Sequence, residues 1–254
     1  VTTLEGTPNP EAPNPQPPIV QKLRIQYAKR GRLRFTSHRD FARAFERAVR
    51  RAGIPIGHSS GFTPHPKISY ANASPTGAAS EAEYLEIGMT RPCATDQVRE
   101  ALDAALPDGL DIVDVVIAAP GTFADRLEAS AWQIDLPGVN LEHAELAAGA
   151  FLAADEVLIE RMMKRGPRTI DCRAAVVALS ARLDATNAEP CAILDVVVRH
   201  VTPSVRPDDV LAGLQSSGGL KLEQTPIATR LAQGPLDSET GTVGDPLVFD
   251  RDAS

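Results

Sequence analysis

Residues 20–55 read VQKLRIQYAKRGRLRFTSHRDFARAFERAVRRAGIP, and the hydrophobic period changes inside them. Leu23, Ile25 and Tyr27 alternate with polar residues, the period-two pattern of a strand with one buried face. Arg30-Gly31 reads as a turn, after which Leu33 and Phe35 resume the alternation as a strand end. From Phe41 the spacing becomes helical. Phe41, Ala44, Phe45, Ala48 and Val49 fall on one face at i, i+3, i+4, i+7 and i+8. Ser37 is placed to cap this helix, with Asp40 three residues on as a short capping box. Gly53 stops it and Pro55 follows.

Working outward, KISYANA and AEYLEIGMT read as two further strands. TDQVREALDAALPDG reads as a helix capped by Thr95, with Val98, Ala101, Leu102, Ala105 and Leu106 inward. LDIVDVVIAA is a last strand. The order is β-α-β-β-α-β, the ferredoxin-like arrangement. The second half repeats that order: strand AWQIDLPG, helix LEHAELAAGAFLAA, strands EVLIERMMK and CAILDVVVRHV, helix RPDDVLAGLQ, strand TPIATRLAQ. TIDCRAAVVALSARL, between them, fits a strand or a short helix.

The expected fold class is therefore α+β, two tandem ferredoxin-like halves. The expected divisions are a Pro-rich disordered tail at 1–18, a basic half at 19–120, a second half at 121–233 and a disordered acidic tail at 234–254. Within the last, PLVF is apolar enough to dock.

Composition narrows the function classes. The chain has 254 residues and a formal net charge of -7. No apolar run approaches the roughly 18 residues of a membrane span, and the N-terminus has neither the basic nor the apolar region of a signal peptide. Cys93, Cys172 and Cys191 form no CxxC pair and no disulfide framework, which points to a reducing cytoplasm and to inert thiols. The charge is unevenly spread. Lys22 to Lys67 holds 12 Lys/Arg against 2 Asp/Glu, while the remainder holds 14 against 31. A +10 patch on a -17 background suggests a polyanion partner, RNA above all.

The stretch RFTSHRD, with RAGIP, SGFTPHPKIS and EAEYLEI behind it, resembles the radical-SAM-associated domain of unknown function. The resemblance is strong over about 22–90 and weaker to about 233. It implies a stand-alone member of a family otherwise fused behind radical-SAM domains. Such members are often encoded beside an RNase E/G-type ribonuclease, which implies RNA metabolism and suggests that ribonuclease or a separate radical-SAM protein as partner. The chain lacks the CxxxCxxC that holds a radical-SAM iron–sulfur cluster, so no cofactor is expected. The tandem order is also similar to that of CRISPR repeat-processing endoribonucleases, an analogy of fold alone.

The expected nucleic-acid-binding set is Arg39, Arg43, Arg47, Arg50 and Arg51 on the helix, extended by Arg30, Arg32 and Arg34 from the strand side, with Lys29 beside them. The loop GHSSGFTPHPK adds His58, Ser59, Ser60 and Lys67, where Gly57 and Gly61 permit close backbone approach. Phe62 either stacks on a base or packs into the core, the packing reading being the stronger. The competing account of the arginines is a solvated face, or pairing with the acidic second half. Catalysis is an alternative: His38 or His65 would act as acid or base in RNA cleavage, metal-independent or metal-assisted. Three converging imidazoles (His38, His58, His65) would make a metal site, but their spacing matches no zinc pattern, and none is assigned. Glu81, Glu83 and Glu86 line a site or, more simply, pair with arginines.

Overall fold

Tyr27 stacks flat on Phe41 with ring centroids 4.1 Å apart, and Phe45 follows one turn on at 5.9 Å. The period-two face of the first strand and the 3.6-period face of the first helix thus meet where the sequence places them. They do so in a computed structural model that describes residues 16–60, 62–163, 166–185 and 191–253. Most of the expected 1–18 tail, and Gly61 of the loop, lie outside the described residues.

The first half comprises β1 (Gln21–Lys29), α1 (His38–Arg51), β2 (Ile68–Ala71), β3 (Ala79–Met89), α2 (Thr95–Asp103) and β4 (Leu110–Ile117). The pairings β4-β1, β1-β3 and β3-β2 are all antiparallel. The second half comprises β5 (Ala129–Pro137), α3 (Leu141–Ala153), β8 (Val176–Leu183), β9 (Cys191–Arg199), α4 (Pro207–Gly218) and β10 (Ile227–Gly234). Its strands run β10-β5-β9-β8, again antiparallel, with a hairpin of β6 (Leu158–Met163) and β7 (Gly166–Asp171) inserted after α3. A short parallel pairing, Thr229↔Ala79 and Arg230↔Ser80, fuses the halves into one mixed sheet. The α+β class holds, and both strand orders are compatible with ferredoxin-like units.

Helices α1–α4 share one face of the sheet. Leu23, Ile25, Leu85 and Ile87 pack there against Phe41, Phe45 and Leu102. Ile134, Leu194 and Val196 do the same against Phe151, Val210 and Leu214. The two apolar clusters are separate, so the helical layer has a seam above the β3–β10 junction.

Two local expectations are corrected and one open alternative is settled. Gly31–Phe35 is a 3-10 turn, not a strand end. Gly31, at φ +54°, redirects the chain directly after β1; Leu33 packs on the first core while Phe35 stays 60% exposed. Thr95 is the first residue of α2 and not its cap; Ala94 holds that position without a side-chain bond. TIDCRAAVVALSARL contains no helix: it is the end of β7, a turn and β8.

The larger correction concerns 234–254. Leu236–Asp237 (β11) pairs with Thr242–Val243 (β12), and α5 (Val248–Asp252) closes the described chain. Leu247 is fully buried against Tyr84, Phe123 and Leu127 on the face of the sheet opposite α1–α4. Asp250, also fully buried, forms an ion pair with Arg24 of β1 and accepts from Arg126 at 2.8 Å and from the Ala119 amide at 2.8 Å. The segment looks polar because one of its two deep anchors, beside Leu247, is a carboxylate whose partner lies in β1.

Candidate nucleic-acid interface

Arg39, Arg43, Arg47, Arg50 and Arg51 are all exposed on α1, on the side away from Phe41, Phe45, Ala48 and Val49. Among the described residues, none has a carboxylate at ion-pairing distance, including any from the acidic second half. The two acidic residues of α1 are turned to other work. The Asp40 carboxylate accepts from the Ser37 hydroxyl at 2.7 Å, within the cap that starts the helix. Glu46 lies beside Tyr70, whose hydroxyl is pushed up first by burial and then by that carboxylate. Arg51 donates one bond to the Ala105 carbonyl at 3.1 Å and remains exposed. The stripe runs from Arg39 to Arg51, roughly 18 Å at 1.5 Å per residue.

The 3-10 turn extends this surface at the N-terminal end. Arg32 is exposed and Arg34 lies over the exposed Phe35 ring at 4.6 Å. Arg30 does not belong to it. Its guanidinium donates to Glu81 at 2.8 Å through Nε and to Asp111 at 2.8 Å through Nη1, so its charge is answered within the sheet. Lys29 is buried, its ammonium pushed down chiefly by desolvation.

The loop does not join α1 in a single grip. Ser59, His65 and Lys67 line a groove with Lys22 and Glu86, which lie on the face of the sheet opposite α1–α4. The loop is folded by its own backbone: Ser59 N–H donates to the His65 carbonyl at 2.8 Å, and Lys67 N–H to that of Gly57 at 2.8 Å. Phe62 is 91% exposed, so the packing reading fails and the ring is free to stack. Ser60 is exposed, while His58 bridges to Pro66.

The three histidines are not brought together. His38 sits edge-on to Tyr70 and borders a different cavity from His65. Among the described residues no three His, Cys, Asp or Glu side chains are grouped to hold a metal. The three glutamates pair with arginines: Glu81 with Arg30, Glu83 with Arg230, Glu86 with Arg24. Cys172 and Cys191 are buried, and burial pushes the Cys172 thiol up to about 11.

Sequence reasoning missed the groups that gather at the seam between the halves. A cleft of about 490 Å³ has Ser130, Trp132, Val198 and Arg230 on its floor. His38 and the 72–76 loop form one wall; Ser204 to Asp208, entering α4, form the other. In the floor His200 Nδ1 lies 2.7 Å from the Leu127 carbonyl, which can only accept. Nδ1 therefore carries the proton, and Nε2 accepts from the Ser130 hydroxyl at 2.8 Å. Burial is the largest cause holding the His200 ring below its ordinary range. Arg230 and Glu83, both nearly inaccessible, form an ion pair, and Arg230 also donates to the Asn72 carbonyl at 3.0 Å. Asn72 has φ +43°, held by that bond and by its own amide on Gln233 at 2.7 Å.

Residues 22–207 match the model of a family described as an uncharacterized protein conserved in bacteria (DUF2344). The chain belongs to this family. The matched span opens in β1 and ends at the first residue of α4, so it takes in the whole basic helix and both walls of the cleft save Asp208. No curated protein matches. Among solved structures, an unknown protein from Galdieria sulphuraria is 12% identical at a TM-score of 0.24, over 83% of this chain and 98% of its own. DyPB from Rhodococcus jostii RHA1 is 12% identical at 0.20, over 88% and 95%. Likeness at these scores bears on neither fold nor function.

Proposed function

We propose that this DUF2344 chain is a radical-SAM-associated, non-catalytic RNA-binding or RNA-processing accessory protein that grips phosphates with α1. The observation that carries the reading is the set of five exposed α1 arginines without a carboxylate partner among the described residues. Guanidinium matches phosphate bidentately, and an unanswered row of it on an acidic protein stabilises a bound polyanion. Phe35, exposed at the N-terminal end of this surface, and Phe62, exposed on the separate loop, give bases a surface to stack on, which favours single-stranded RNA. The accessory role supposes a separate enzyme, a radical-SAM protein or an RNase E/G-type ribonuclease, and co-purification identifies which.

The test is RNA affinity against salt. Counterion release of about 0.7 per phosphate gives a log–log slope near -3.5 for five contacts, about 100-fold weaker binding between 50 and 200 mM salt. Arg43→Glu with Arg47→Glu removes two contacts, adds repulsion and leaves the buried face untouched. It should abolish binding with the fold retained by circular dichroism. Salt-insensitive binding, or full affinity in that folded variant, refutes the reading.

A further inference from the structure

The seam cleft carries the strongest unassigned chemistry in the molecule. Its size, about 490 Å³, is that of a small-ligand pocket and far exceeds a bare phosphate. Its walls divide by character. Trp132, Pro75, Val198, Val205 and Pro207 offer apolar surface suited to a nucleoside. The anion-seeking groups are elsewhere. The N-termini of α1 and α4, marked by His38 and Arg206–Asp208, border the cleft from opposite sides, and helix N-termini favour anions. Arg206 is exposed and has no carboxylate at ion-pairing distance among the described residues. Asp208 is the carboxylate that lines the cleft; it sits in the first turn of α4, where it complements that helix. The charge of Arg230 is already matched by Glu83.

A second observation is independent of the helices. Ser74 lines the cleft at 9% exposure, and its hydroxyl has no hydrogen-bond partner among the described residues. Buried hydroxyls are almost always satisfied, and this one lacks a partner on a residue that lines the cleft. Its backbone is fixed, because its amide donates to the buried Glu83 carboxylate at 3.0 Å. Ser130 differs in that His200 already holds its hydroxyl.

The cleft is also continuous with the basic surface. His38 both begins α1 and borders the cleft, and the Gly77 amide ties the end of the 72–76 loop to the Arg34 carbonyl at 2.8 Å. We infer that the cleft receives one nucleoside-monophosphate unit, its phosphate toward Arg206 and the Ser74 hydroxyl, as the phosphorylated terminal nucleotide of the RNA held along α1. The terminal-nucleotide part rests on the proposed RNA binding; the cleft itself does not.

The experiment uses the full chain with four probes: one oligoribonucleotide bearing a 5′-phosphate, a 3′-phosphate or neither, and free AMP. Binding is read by fluorescence anisotropy for the RNAs and by calorimetry for AMP. One phosphorylated end should bind about tenfold tighter than the unphosphorylated RNA, the worth of one or two hydrogen bonds to a charged group. Arg206→Ala and Ser74→Ala should each erode that preference while leaving affinity for the unphosphorylated RNA unchanged. Arg43→Glu with Arg47→Glu should lose RNA and keep AMP. Equal affinity for all three RNAs with no AMP binding overturns the cleft and leaves the α1 interface standing. AMP binding without RNA binding overturns the α1 interface and the terminal-nucleotide role, and retains a free-nucleotide site. A preference that survives both cleft variants overturns the assignment of Arg206 and Ser74.

Discussion

Replacing Asp250 by alanine removes the anion that matches Arg24, whose side chain is 1% exposed. What remains to Arg24 is the Gly121 carbonyl at 3.0 Å, the Phe123 ring at 5.0 Å and Glu86 at 3.4 Å, the last partly in solvent. The Ala119 amide and one Arg126 bond lose their acceptor as well. Breaking one partner from a buried ion pair costs about 3–5 kcal/mol, because the surviving charge stays desolvated. For a chain of this size each kcal/mol is about 2–4 °C, so the expected fall in Tm is roughly 6–20 °C. Urea denaturation should show a lower midpoint at unchanged slope. The contrast is the double variant Arg24→Met with Asp250→Leu, which replaces the pair by apolar groups and should regain most of the loss. Limited proteolysis should cut Asp250→Ala within 235–253, since α5 is anchored there by the carboxylate and by Leu247. A single-variant loss below about 1 kcal/mol, or a double variant no more stable than the single, refutes the claim that this pair pins the C-terminal segment.

Three further outcomes follow from the structure. Phe35→Ala and Phe62→Ala should each weaken single-stranded RNA binding about 5- to 100-fold, the worth of one stacked base, and leave duplex RNA unaffected in parallel anisotropy titrations. Gly218→Ala should destabilise the fold by about 1–3 kcal/mol in urea melts, because the added Cβ would lie 2.5 Å from Ala147 Cα and 2.7 Å from its carbonyl, forcing α3 and α4 apart. His200 contributes a pH dependence of definite sign. Its folded-state pKa is depressed, so the unfolded chain binds the proton first, and stability falls as pH drops below the ordinary value of 6.5 until the folded form protonates too. His200→Gln should flatten that part of the stability–pH curve, read by thermal melts between pH 5 and 8.

The sequence made β1 and α1 legible because each has a clean period on one face and a core to meet. The 3-10 turn was not, since Leu33 and Phe35 are too few to separate alternation from a tight turn. The inserted hairpin hid for a similar reason: β7 and β8 run together across a turn without glycine or proline. The helix surface of the site was readable as a row of arginines. The cleft was not, because Ser74, Ser130, His200 and Arg230 come from four distant segments, and each alone is an ordinary strand or loop residue. A signal did exist in Asn72, which carries positive φ, and in His200, placed just past the end of β9. Neither speaks until the β3–β10 pairing brings them together.

The arginines of the basic segment separate by the element that bears them. Arg24 in β1 and Arg30 directly after it both have carboxylates at ion-pairing distance. Strand geometry makes that natural, since cross-strand neighbours stand about 5 Å apart and opposite charges there stabilise the sheet. Among the described residues the outer side of α1 offers its arginines no carboxylate, and those three and four apart repel each other, at a cost of a few tenths of a kcal/mol per pair. The fold gains nothing from that arrangement, because the apolar face of α1 is complete without it. A +10 segment in a -17 chain is therefore divided: its strand-borne charge serves the sheet, and its helix-borne charge has no carboxylate among the described residues, which is the basis of the proposed RNA grip. Arg30→Ala and Arg43→Ala separate the two roles, the first lowering stability with RNA affinity within about twofold, the second lowering affinity and the salt slope by about 0.7 with stability unchanged. Equal effects of the two on RNA would show that pairing within the sheet does not decide which cations bind.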